Sequence, residues 1–204
     1  MIESVISNDT MKKHLRGSSL FLGLILGIVT WQYNQNHGVY LQAWLAHGLL
    51  HTAWIRTQAS GLHVKPWPGA NTWPLARLLI PHLKVEQVVL TRAGEGMSVF
   101  ALGHSDSSVL PGELGNSVLN VHHRDIYMSF LKKLKPGDML VLESLRNGRW
   151  HYQVSAIEVV NKIDTYWVEP SLNRRLTLVS CYPCSNIEDG SRYVVVAEEI
   201  ERIV

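Results

Sequence analysis

The amino-acid sequence predicts an all-β domain, a barrel or a sandwich, behind a helical N-terminal segment. Three observations carry this. From about residue 74 onward the chain is a succession of short runs of β-type composition separated by turn signals. Within that region only "IYMSFLKKL", Ile126 to Leu134, has helical spacing, with Asp125 placed as its N-cap. Ahead of it, a basic start is followed by a long stretch without charge.

The N-terminal elements come first. Lys12, Lys13 and Arg16 precede "GSSLFLGLILGIVTWQYNQ", and no Asp, Glu, Lys or Arg occurs between Gly17 and Ile55. The densest apolar part, Leu20 to Trp31, falls short of the ~18–20 residues of a spanning helix, and adding Ser18, Ser19, Trp31 and Tyr33 makes a marginal span. No A-x-A-like cleavage site follows. The expectation is a cytoplasmic N-terminus over 1–17 and an uncleaved single-pass anchor in the plasma (inner) membrane over 18–36. The domain behind it would then be periplasmic or otherwise extracytoplasmic. A cleaved signal peptide and a buried core helix are the alternatives. Residues 37–60 read as a helical linker segment: Leu41, Trp44, Leu45, Leu49 and Trp54 fall near helical spacing, with Gln42, His47 and His51 between them. Those histidines have no thiol or carboxylate neighbour in sequence, so they read as exposed side chains rather than metal ligands, on a helix that packs on the domain or lies at the membrane surface. The Gly- and Pro-rich stretch "GLHVKPWPGANTWP" then opens a catalytic domain expected over 61–204.

The β-type runs are "ARLLIPHL", "EQVVLT", "MSVFALG", "NSVLNVH", "DMLVLES", "WHYQVSAIEVV", "TYWVE", "LTLVSCY" and "RYVVVAEEI". Gly94-Glu95-Gly96, Pro111-Gly112, Pro136-Gly137-Asp138 and Asn147-Gly148 punctuate them, and the last joins two runs as a hairpin. Composition excludes several classes. Lys+Arg 19 against Asp+Glu 17 gives a net charge of only +2, and the scattered basic residues make no nucleic-acid footprint. Two cysteines are too few for a disulfide-stapled scaffold. Phosphate-loop, dinucleotide and zinc-protease motifs are absent.

Both cysteines lie in "RLTLVSCYPC", as Cys181 and Cys184. A redox pair, half of a metal site, or one nucleophile with a bystander would each place them so. A thiol–disulfide oxidoreductase pair belongs at a helix start in a βαβ setting, and this neighbourhood is β-rich. A zinc site needs two more ligands at defined spacing, and none accompanies the pair. A nucleophile at a strand end needs an imidazole or cation to favour its thiolate. "NVHHRD" offers His122 and His123, and Arg192 opens the last β-type run.

Those residues carry a family resemblance. "GNSVLNVHHRD", "LKKLKPGDMLVLES", "RLTLVSCYP" and "SRYVVVAE" together resemble a sortase, a cysteine transpeptidase with an eight-stranded β-barrel. "VKPWPGANTWPLARLLIP" and "LGHSDSSVLPGELGN" resemble its Gram-negative, marine-proteobacterial branch. The resemblance implies Cys181 as nucleophile, Arg192 facing the oxyanion, and His123 as the catalytic histidine. It departs from the family where His122 replaces a Gly and Ser180 a Thr. It further implies as partners a protein bearing an LPxTG-like C-terminal signal and an amine acceptor on the cell envelope, without nucleic acid. No cofactor is expected. Glu113, Glu169 and Glu188 are too dispersed for the calcium site some sortases have, so no metal is expected either. Asp125 suits an N-cap better than a triad member. His104 is a candidate for lining a substrate groove, against a loop histidine satisfied locally. An L,D-transpeptidase would need an S-x-G-C signature, which is missing. The non-enzymatic alternative is a membrane-tethered barrel that only binds peptide. Cys184 has two readings, a packed small hydrophobe or a resolving thiol that pairs reversibly with Cys181.

Overall fold

The computed structural model of this chain describes residues 42–92, 100–121, 129–145, 148–161, 163–182 and 190–200. The chain divides into two compact units, Met1–Trp44 and Leu45–Val204, and the described fold is essentially that of the second. The expected anchor, residues 18–36, lies outside the described residues. Among those described, no helix is long and apolar enough to cross a membrane.

Eight strands close a barrel: β1 (Pro74–Ile80), β2 (Val85–Leu90), β3 (Leu102–His104), β4 (Asn116–Val121), β5 (Met139–Ser144), β6 (Gly148–Asn161), β7 (Arg175–Cys181) and β8 (Ser191–Glu199). Their order around the barrel is β1-β2-β3-β4-β7-β8-β6-β5. Most pairings are antiparallel, while β2–β3 and β4–β7 run parallel. Closure leaves no sheet edge unpaired. Most runs expected as strands become strands. Of "MSVFALG" only Leu102 and Gly103 lie in a strand, its first three residues being outside those described. "TYWVE" folds as a 3-10 helix over Tyr166–Val168 inside the connection from β6 to β7. Of the helix expected over Ile126 to Leu134, the start and its N-cap Asp125 lie outside the described residues, and Ser129–Lys133 form a 3-10 helix.

Alternation sorts each strand's side chains between the interior and the outside. Leu78, Ile80, Leu102, Leu119, Leu140, Leu142, Leu176, Leu178 and Val195 fill the interior, closed by Phe130, Leu131 and Leu134. Tyr152 is also buried there. Burial and the Glu199 carboxylate raise the pKa of its phenol, so it stays neutral.

Residues 42–60 are helical (α1), and those from Leu45 onward belong to the barrel's own unit. Leu50 and Trp54 pack against Val88, Leu90 and Ala101, so this part of the expected linker is a buttress of the barrel. An ion network lies beside it. Arg77 donates to Glu86 at 2.8 Å and from Nε to Glu143 at 2.8 Å, and Arg149 also donates to Glu143. The Arg77 guanidinium stands 5.9 Å from the Trp54 ring.

Glu143 is 7% exposed. Burial alone would raise its pKa, but the hydrogen bonds from Arg77 and Arg149 outweigh it, and the carboxyl sits below its ordinary value of 4.5. A depressed carboxyl contributes its full stability above its unfolded pKa and loses it as pH falls through the folded value. Glu143→Gln, which leaves two guanidiniums without their carboxylate, is therefore expected to cost roughly 3 kcal/mol by urea unfolding at pH 7. The gap to wild type should narrow as the pH is lowered below 4.5. A gap that stays constant with pH would remove the charge from the explanation.

Candidate active site

The site is built by the pairing of β7 with β8. Their antiparallel register sets Cys181 opposite Arg192, Ser180 opposite Tyr193 and Val179 opposite Val194. The Tyr182 amide donates to the Ser191 carbonyl at 3.1 Å, which makes Tyr182 and Ser191 a hydrogen-bonded pair. The next pair, Cys181 and Arg192, is then a non-hydrogen-bonded one, the type in which opposed side chains come closest, with Cβ atoms ~4.5–5.5 Å apart.

The remaining register shows which residues share their face. Leu176, Leu178, Val195 and Ala197 point into the barrel. Thr177, Val179 and Cys181 on β7, and Arg192, Val194 and Val196 on β8, therefore point outward together. Parallel β4 adds Asn116, Val118 and Asn120, and β6 adds Val160 beside Arg192. Val118, Val160, Val179 and Val194 form a buried apolar floor, against which Trp167 and Val168 of the β6–β7 connection pack. A half-buried thiol position and a half-buried guanidinium thus stand at the end of a buried apolar layer covered by that connection.

Arg192 donates from Nη1 to the Ser191 carbonyl at 3.2 Å, and among the described residues no carboxylate pairs with it. A guanidinium with no carboxylate partner among the described residues suits a negative charge that develops only during reaction.

Cys181 itself is disulfide-bonded. The chain has one other cysteine, Cys184, which lies outside the described residues. His122 and His123 lie outside them as well, immediately after the last residue of β4. The neighbouring strands β4 and β7 run in the same direction, so their C-terminal ends, Val121 and Cys181, are at one end of the barrel.

His104 is not brought to this pair. It is 7% exposed, it opposes Leu119, whose side chain points into the barrel, and its Nε2 lies 2.9 Å from the Val109 carbonyl and 3.2 Å from the Ser108 hydroxyl. Among the described residues no three His, Cys, Asp or Glu side chains converge as they would around a metal ion. A buried polar pair under the β6–β7 connection, Asn116 and Thr177, was not singled out from the sequence. Its signal was a polar residue in each of two strands buried on both faces.

The family comparison agrees with this geometry. Residues 78–200 match the Sortase domain model. No curated protein matches the sequence significantly. Among solved structures the chain is similar to sortase A from Corynebacterium diphtheriae, with TM-score 0.56 and 24% identity, over 65% of this chain and 63% of that one. It is also similar to the sortase D5 transpeptidase of Clostridium perfringens, with TM-score 0.58 and 20% identity, over 76% and 98% of the two chains. Sortase C-1 from Actinomyces oris gives TM-score 0.52 and 26% identity, over 62% and 74%.

A disulfide at Cys181 removes the thiolate that alkylating agents attack. Iodoacetamide should therefore leave Cys181 unmodified in oxidised protein and label it after mild reduction, read by peptide mapping. Equal labelling with and without reductant would mean that the thiol is free in solution. The match over residues 78–200 and the closed eight-stranded barrel with Cys181 opposite Arg192 place this chain in the sortase family of cysteine transpeptidases.

Proposed function

We propose that this sortase is a membrane-anchored enzyme that cleaves an LPxTG-like C-terminal signal on a partner protein and transfers that protein to an amine acceptor of the cell envelope. The observation that carries the reading is the direct opposition of Cys181 and Arg192 on one outward strand face. The Cys181 thiolate attacks the carbonyl after the signal's Thr. Arg192 stabilises the tetrahedral oxyanion with a fixed cation and several donors. His123, as imidazolium, gives its proton to the leaving amine, and a thioester on Cys181 remains. The acceptor amine, losing a proton to the now neutral imidazole, attacks the thioester and releases the Cys181 thiolate, which restores the thiolate–imidazolium pair. Water in place of the amine makes the enzyme a slow protease.

The disulfide state adds a condition. A thiol engaged in a disulfide cannot attack, so turnover begins only after reduction, and Cys184 is the resolving thiol of this reversible protection. Anchoring rests on the sequence, through the basic residues before the apolar stretch and the lack of a cleavage site after it.

Intact mass of the reduced full-length protein mixed with LPxTG-like peptides tests the chemistry. The expected result is a thioester adduct on Cys181 that an added amine releases, with neither in Cys181→Ala. Arg192→Lys should lower turnover about 10²–10³-fold although the charge is kept, because an ammonium lacks the planar fork of donors. His123→Ala should be inactive and His122→Ala should keep substantial activity, and the reverse would move the catalytic histidine by one residue. Absence of any adduct with peptides of this class would leave a barrel that only binds peptide.

The anchor has its own test. Reporter domains fused after residue 60 should be active only outside the cytoplasm, and the reporter should sediment with membranes. Recovery of a soluble protein beginning near residue 35 would replace the anchor by a cleaved signal.

A further inference from the structure

We infer that Asn116 and Thr177 are positioning residues that hold the β6–β7 connection against the outward face that carries Cys181 and Arg192 and so set how tightly the enzyme grips its peptide, a role that rests on the sortase reading of that site. Asn116 is 3% exposed and Thr177 fully buried. They lie on neighbouring parallel strands and face outward, under the connection. The Thr177 hydroxyl donates to Asn116 Oδ1 at 2.8 Å. Asn116 Nδ2 then donates both its protons to the connection, at 2.9 Å to the Trp167 carbonyl and 3.1 Å to the Glu169 carbonyl.

The pair is specific in its chemistry. Thr177 fixes which end of the Asn116 amide is the acceptor, because its hydroxyl donates to the oxygen and leaves the nitrogen aimed at the two carbonyls. Those carbonyls flank Val168, and Trp167 and Val168 are the residues that pack against Val118, Val160, Val179 and Val194. Val179 lies two residues before Cys181 and Val194 two residues after Arg192, both on the same outward face. One buried amide therefore ties the β6–β7 connection to β4 and to the nucleophile strand β7. The connection has other local bonds, Val168 N–H to the Thr165 carbonyl at 3.0 Å and Glu169 N–H to the Tyr166 carbonyl at 3.3 Å. These shape the 3-10 turn and do not reach the barrel.

Losing a buried partner exposes an unsatisfied group, at a cost large enough to matter for a short surface segment. Thr177→Val keeps the shape of the side chain and removes only the donor, and Thr177→Ser restores it. The test uses the reduced full-length protein and two readouts. Hydrogen exchange at the Val168 and Glu169 amides should be about tenfold faster in Thr177→Val and in Asn116→Leu, and near wild type in Thr177→Ser, with the β7–β8 ladder amides unchanged. For an LPxTG-like peptide, KM should rise about tenfold with kcat within about twofold, and Thr177→Ser should again restore it.

Faster exchange without any peptide turnover by the wild type would keep the tether and reject the sortase substrate reading. Unchanged exchange at Val168 and Glu169 in both variants overturns the proposal. So does a fall in kcat with KM unchanged, since that would place the pair in the chemistry rather than in peptide retention.

Discussion

The structure depends most on the register between β7 and β8. Side chains along a strand alternate with a period of two, so a slip of one residue turns every side chain to the opposite face. With Ser180 opposite Tyr193 and Cys181 opposite Arg192, the sulfur position and the guanidinium share the outer face, while Leu176, Leu178, Val195 and Ala197 fill the barrel. The same alternation that packs the core therefore assembles the reactive pair. The core enforces it, because a slipped strand would send Arg192 inward and a leucine outward, and burying an unpaired guanidinium in that interior is far costlier than losing a methylene.

Barrel closure completes the arrangement. The β4 strand lies parallel to β7 rather than beside β5. That order brings the end of "NSVLNV" alongside the end of "RLTLVSC", and it leaves the β6–β7 connection free to fold back over β4, β7, β8 and β6. Charge is handled in two ways across the molecule. The Arg77, Glu86, Glu143 and Arg149 side chains neutralise one another on the face covered by α1. Arg192, on the outward face beside Cys181, has no such carboxylate among the described residues.

Much of the fold is legible in the sequence because each strand is short, apolar and fenced by Gly, Pro or Asn. The motifs around Cys181 and Arg192 are legible for the same reason, since a strand end is easy to see. Strand order was beyond composition and periodicity, because nothing in the runs themselves says that β4 pairs in parallel with β7, and the family resemblance supplied only the count of eight strands. "TYWVE" misled for an identifiable reason. Its Tyr, Trp and Val favour a strand, yet the carbonyls of Trp167 and Glu169 go to the Asn116 side chain rather than to a neighbouring strand, and the segment curls into a 3-10 turn. The helical linker expected to end near residue 60 was half legible. Its Leu50 and Trp54 are core residues of the barrel, and only long-range packing distinguishes a buttress from a spacer.

The opposition of Cys181 and Arg192 is measurable without any substrate. A full-length Cys184→Ser/Arg192→Cys protein has thiols at the two facing positions and nowhere else. A non-hydrogen-bonded antiparallel pair holds its Cα atoms within the span a disulfide needs. Mild oxidation should close a bond between residues 181 and 192 in the monomer, with a loss of two hydrogens in the intact mass and a cross-linked peptide on digestion. If the two thiols instead remain free under conditions that oxidise the wild-type pair, or form only intermolecular dimers, the register that assembles this site is wrong.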